Sequence, residues 1–289
     1  MAVRRVRKQW AHRLFSRLAI QLGEITPAFP AQLLCPLCLR PFFETSIDVI
    51  PPGLTKEHII SRELSGKRAT LTCKDCNSTH GHEIDAHLIQ MLRALDSFTG
   101  VGTKPFRGRI EVMGLTVPSD VEWKASIGEM TKFRLRQFKP SVHEAIRQHF
   151  RAGDVKSIKV NFSFDYIPVR AYLGVLRIAY LIMFQEFGYH YILSPAANVI
   201  REMLVGFANP PPEIDRMTIE IREANPLPEE PWQLYSVEGG VAVMIVITLT
   251  ADTKRRYAAF MPSPALPADQ VLSVICGAAQ NAVSKQKSA

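Results

Sequence analysis

The chain has 289 residues, 47% hydrophobic and 21% charged, a balance that excludes a disordered or fibrous polypeptide and suffices for more than one buried core. Lys and Arg outnumber Asp and Glu by 35 to 27, a formal charge of +8, which favours phosphate or another anionic surface over acidic partners. Five cysteines, four of them in two C-x-x-C pairs, suit metal-bound thiolates in a reducing compartment better than a disulfide framework, so a cytoplasmic protein is expected.

In chain order, residues 4–22 place Trp10, Leu14, Leu18 and Leu22 at helical spacing, which predicts a basic amphipathic helix. That stretch has six basic residues and no acid before Glu24, a composition shared with transit peptides, but the amphipathic helix accounts for it. From residue 34 to about 97 follows a compact unit: two cysteine knuckles, an intervening strand and loop, and a helix from about Asn77. In that helix Ile84, Leu88, Met91, Leu92 and Leu95 form one buried stripe.

After Gly100 the character shifts to β-leaning runs at 107–113, 121–125, 132–138 and 157–164. Helices are expected at 141–151, capped by Ser141, and at 169–187 and 197–207. Strands are expected at 217–221, 233–236, 241–250 and 257–261. Residues 210–212 and 226–231 read as connectors. The apolar run 169–193 is interrupted by Arg170, Arg177 and Glu186, and 241–249 is too short to cross as a helix, so no membrane association is expected. The reading is an α+β protein: a basic N-terminal helix and linker over 1–33, a zinc-stapled module over 34–98, a mixed α+β accessory domain over 104–283, and a loose tail over 284–289.

Cys35-Pro-Leu-Cys38 and Cys73-Lys-Asp-Cys76 each present two thiolates on one sharp turn, and four sulfurs satisfy a tetrahedral structural zinc without another ligand. The metal closes the long loop between the pairs, so its binding energy becomes folding energy. A zinc staple by itself needs no catalysis, and any chemistry must come from the residues between and just after the pairs.

Between the pairs stands Thr55-Lys56-Glu57-His58-Ile59-Ile60, and after them Asn77, His80, Gly81, His82 and Asp85. This arrangement, over residues 34–88, resembles the HNH endonuclease family, in the branch that writes E-H-I between two C-x-x-C pairs and follows the second with Asn and Gly. The resemblance implies two strands and a helix (the ββα-metal fold) around one divalent ion. It also implies His58 as general base, with Asn77 and Glu57 as metal ligands. The chemistry agrees, since an imidazole can deprotonate water near neutral pH. A carboxylate and an amide oxygen suit catalytic magnesium or manganese. Adjacent strand residues point to opposite faces, so Glu57 and His58 are placed to straddle a phosphate at a twisted strand end. Three departures stand out: Glu57 replaces the common Asp, residues 68–71 lack the middle Asn of the family name, and His80 stands where an aromatic is usual. His80, three residues beyond Asn77, is a candidate third ligand or phosphate contact.

His82 and His87 read as solvated helix residues, and Asp85 as a surface or loop-bracing acid. Candidate nucleic-acid contacts are Lys67 and Arg68 after the E-H-I strand, and Lys132, Arg134 and Arg136, which alternate with Phe133 and Leu135 as the basic face of a strand. Arg and Tyr in the run 170–191 carry no motif, and a mostly apolar helix reads as core. The expected function is metal-dependent hydrolysis of DNA phosphodiesters, with RNA as the other candidate substrate and restriction or phage defence as a fitting role. A non-catalytic zinc module that binds nucleic acid or a protein partner is the alternative.

Overall fold

In a computed structural model the chain is a mixed α+β protein; residues 2–47, 49, 53–99, 106–124, 129–136, 140–162, 165–221, 232–237 and 239–288 are described. Contacts divide it into two units, one of residues 1–88, 167–250 and 254–289, the other of 89–166 with 251–253.

The first unit opens with α1 (Ala2–Ile25). Its buried stripe is Ala11, Phe15, Leu18, Ala19 and Leu22, shifted from the expected one, so that Trp10 and Leu14 are only half-buried. Two short antiparallel strands, β1 (Gln32–Leu34) and β2 (Pro41–Phe43), flank the first cysteine pair. A second hairpin pairs β3 (Leu54–His58) with β4 (Ala69–Cys73), with Glu57 opposite Thr70 and His58 opposite Ala69. It runs directly into α2 (Lys74–His80), a π turn over Gly81–Asp85, and α3 (Ala86–Phe98). The helix therefore starts three residues before the expected Asn77, because the second cysteine pair lies within its first turn.

The strands β9 (Thr218–Ile221), β10 (Trp232–Val237), β11 (Gly240–Thr250) and β12 (Lys254–Pro262) make an antiparallel sheet in the order β10-β11-β12-β9. Across this unit runs α5 (Pro168–Phe187), followed by the short α6 (Tyr189–Ile192) and by α7 (Pro195–Val205), which Ser194 caps by accepting from Ala197 N. From Leu173 to Phe184 every α5 residue is buried, which accounts for its apolar composition. Gly174 lets α5 approach closely: a Cβ there would lie 2.9 Å from the Leu88 Cβ. The last helix, α8 (Val271–Ser288), corrects the loose tail expected over 284–289. Val274, Ile275, Ala278, Ala279 and Ala282 form a buried helical stripe that carries the polar end along.

In the second unit β5 (Phe106–Val112), β6 (Leu115–Lys124), β7 (Glu129–Leu135) and β8 (Lys159–Phe162) form an antiparallel sheet in the order β7-β6-β5-β8. Ile110, Val112, Val117 and Val121 pack with Ile146 of α4 (Pro140–Ala152). The Asp96 carboxylate accepts from the N–H groups of Asp252 and Thr253 at 2.8 and 3.0 Å, which holds the crossing segment.

The expected division near 97–104 is not where the contacts divide the chain, and residues 100–105 lie outside the described ones. Residues 34–88 share their core with α5 and α6 instead. The Tyr180 hydroxyl donates to Pro36 O at 3.0 Å, and the Tyr189 hydroxyl donates to Leu34 O at 2.8 Å while accepting from Leu34 N at 2.9 Å. The segment after residue 167 thus completes the cysteine unit. The expected connector 226–231 lies outside the described residues.

Candidate functional site

Cys35, Cys38, Cys73 and Cys76 bring their sulfurs within 4.8 Å of one another. Sulfurs bound tetrahedrally to one zinc at about 2.3 Å lie about 3.8 Å apart, and Cys38 Sγ and Cys73 Sγ are separated by 3.8 Å. The first knuckle is closed by Leu39 N donating to Cys35 O at 2.8 Å, with Leu39 at φ +56°. The second lies at the β4–α2 junction, where Cys73 caps the helix by accepting from Cys76 N at 3.4 Å. Arg40 donates to Cys38 Sγ and Cys73 Sγ at 3.4 and 3.2 Å and to Asp75 at 2.7 Å, a cationic outer layer that favours the thiolate forms. These residues can hold a metal ion such as zinc.

Strand alternation separates the two residues of the E-H pair. Glu57 is 3% exposed and points inward, where it is ion-paired with Arg177 of α5. Arg177 is wholly buried and also binds both carboxylate oxygens of Asp85 at 3.1 Å. Asp85, read as a surface or loop-bracing acid, is thus a bracing partner of Arg177, its side chain only 15% exposed. Burial raises the Glu57 and Asp85 carboxyls above their ordinary values against the pull of Arg177. Burial works against the Arg177 charge, yet Asp85 and Glu57 hold its pKa above the usual value. Two carboxylates against one guanidinium leave this dry cluster short of positive charge.

Two ligand-type atoms beside this cluster are buried and lack a hydrogen-bond partner: Glu57 Oε2 and His80 Nδ1. His80 is 3% exposed, and burial, reinforced by the Arg177 charge, lowers its pKa to about 3, so the imidazole is neutral at ordinary pH. Its ring meets Phe207 edge-on at 6.4 Å. Asn77, one helical turn earlier in α2, donates from Nδ2 to Lys56 O at 3.3 Å, which fixes the amide against the β3 backbone beside Glu57 and leaves Oδ1 as its acceptor. Among the described residues, only the four cysteines gather three or more His, Cys, Asp or Glu ligand atoms within 4.8 Å.

His58 is on the other, partly exposed face of β3. Its Nε2 accepts from Arg62 Nε at 2.8 Å, so the lone pair is on Nε2 and the neutral ring carries its proton on Nδ1. Arg62 is placed by the tight loop 59–68, where a Cβ on Gly66 would fall 1.8 Å from Ile60 O. The sequence reading missed Arg62; four residues past His58 in an irregular loop, it gives no periodic signal. Of the expected nucleic-acid contacts, Lys67 is exposed, whereas Arg68 pairs with Glu186 at 3.0 Å. Arg134 and Arg136 are exposed, and Arg136 is 3.5 Å from Asp120; the side chain of Lys132 lies outside the described residues. His82 is exposed as expected, while His87 Nδ1 accepts from Ile167 N at 3.1 Å.

The structure thus turns Glu57 inward, sets Asn77 against the Lys56 backbone and buries His80 near the Arg177 charge, while His58 lies on the other, partly exposed face of β3. Comparison with protein-family models, with curated proteins and with solved structures finds no match to this chain.

Proposed function

We propose that the chain is a zinc-stapled, divalent-metal-dependent nuclease that hydrolyses DNA phosphodiesters, an HNH-type enzyme in chemistry. The observation that carries the reading is the pair of unpartnered buried atoms, Glu57 Oε2 and His80 Nδ1, on a hairpin-helix unit whose strand ends in His58. Glu57 Oε2, Asn77 Oδ1 and His80 Nδ1 are the groups that would hold the catalytic ion, and its charge would offset the excess carboxylate. A nitrogen donor in that set favours manganese over magnesium.

When bound, the ion would supply positive charge to a phosphate that straddles the end of β3, between the Glu57 and His58 faces. His58 Nε2 takes a proton from water as the hydroxide oxygen bonds to phosphorus, the P–O3′ bond breaks, and the departing oxygen takes a proton from solvent. The products are a 5′-phosphate and a 3′-hydroxyl. Arg62 must release the His58 lone pair for this step, and its guanidinium is then free to hold a phosphate oxygen.

Supercoiled plasmid incubated with manganese or magnesium tests the reading. Wild type should nick or linearise it, and His58→Ala should lower the rate by roughly 10²–10⁴. A second reading, a zinc module that binds nucleic acid or protein without cutting, is favoured by the Arg177–Glu57 pair, which already holds one carboxylate oxygen. Gel retardation without cleavage under every metal would make it the better account.

A further inference from the structure

Beside β4 of the hairpin lies a cleft of about 510 Å³, walled by Trp10, Arg17 and Gln21 of α1, Ala69 and Thr70 of β4, and Gln185 of α5. The register joins it to His58: Ala69 is its cross-strand partner, and directly opposed antiparallel residues share a face with Cβ atoms about 5 Å apart. Lys56, two residues before His58 and so on that same face, sets its Nζ 5.0 Å from the centre of the Trp10 ring. The floor is close-packed, since a Cβ on Gly188 would meet Gln21 Oε1 at 2.0 Å.

Three features define what fits. The volume lies within the range, roughly 300–1,000 Å³, of sites for cofactor-sized molecules. Arg17, exposed at the rim, and Lys56 supply positive charge, while the Glu186 carboxylate in the wall is neutralised by Arg68 at 3.0 Å. Gln185 Oε1 is a buried acceptor without a partner, a costly state that an N–H donor would relieve. An aromatic ring, a rim cation and an acceptor wanting N–H together match a nucleotide: flat, anionic and bearing an exocyclic amine.

We propose that this cleft receives one unstacked nucleobase of the strand whose phosphate lies at His58. The base packs against Trp10, its amine donates to Gln185 Oε1, and its phosphate lies against Arg17. A base inside a duplex is already stacked and cannot enter, so the preferred substrate is single-stranded or locally melted. The inference rests on the nuclease reading for its strand, and the two separate experimentally.

The test is a binding series with zinc-loaded, full-length His58→Ala protein, kept without added manganese or magnesium to suppress cleavage, and a labelled single-stranded oligodeoxyadenylate. An abasic site is moved one position at a time along it. One position should weaken binding about tenfold, as expected for a lost stacked base, and the penalty should vanish in the added Trp10→Ala background. Replacing adenine by purine, which lacks the amine, should weaken binding at that position, but not in the added Gln185→Leu background. Equal binding at every abasic position would overturn the proposal even if wild type cuts plasmid. A positional penalty without cleavage by wild type under any metal would uphold the base site and end the nuclease reading. The abasic scan needs neither Trp10→Ala nor Gln185→Leu, so it holds if those variants fail to fold.

Discussion

The two faces of β3 behave as different materials. Inward, Glu57 and Asp85 both pair with the buried Arg177. Outward, His58 is partly exposed and accepts from the Arg62 guanidinium. One residue of register separates them, so a strand too short to have a core of its own buries one side chain and turns the next toward solvent.

The severest way to break this contrast is to remove what supports both faces. A chelator that strips the four-cysteine site should abolish cooperative thermal unfolding and near-ultraviolet circular dichroism of this unit, since structural zinc contributes on the order of 10 kcal/mol. Unchanged spectra would mean that the knuckles fold without a metal.

Next comes the inner face alone. Arg177→Met should cost roughly 3–5 kcal/mol, because it leaves two buried carboxylates without their cation. Adding Glu57→Gln and Asp85→Asn should recover part of that loss. His58→Ala, on the outer face, should leave stability within about 1 kcal/mol of wild type. Urea denaturation measures all three, and equal losses at Arg177 and His58 would erase the distinction.

The smallest effect is a slope with pH. His80 keeps its proton off until about pH 3 when folded, whereas the unfolded imidazole takes it up near 6.5. Stability from this group is therefore complete above pH 6.5 and falls by about 1.4 kcal/mol per pH unit as acid is added toward 3. Glu57 and Asp85 act in the opposite sense. Their raised values favour the fold fully below the ordinary carboxylate range, an advantage lost as pH rises through the folded values. His80→Phe should flatten the decline below pH 6.5 in urea midpoints taken at pH 7.5, 6 and 5; an unaltered slope would assign it to other groups.

Much of the outer logic was legible in residue order. The cysteine spacing marked the clamp, and strand alternation placed Glu57 and His58 on opposite faces. The partner of Glu57 was not legible: Arg177 lies 120 positions away. Its only trace was a cation in the middle of a run of apolar residues, which has to be paired if the helix is buried. Whether Asp85 was a surface or a bracing acid was not legible for the same reason, as its exposure depends on what α5 brings to it. The α8 terminus was misread because a polar Lys-Gln-Lys end resembles a tail, whereas the alanine stripe before it holds the helix.

Tyr180 and Tyr189 tie the first knuckle to a segment translated about 140 residues later. A nascent chain that has emerged only through α3 therefore holds its cysteines together with an exposed apolar seam and a Glu57 still hydrated. A truncated 1–98 fragment, the natural choice for dissecting a cysteine module, would lack the α5 and α6 side chains that cover this seam.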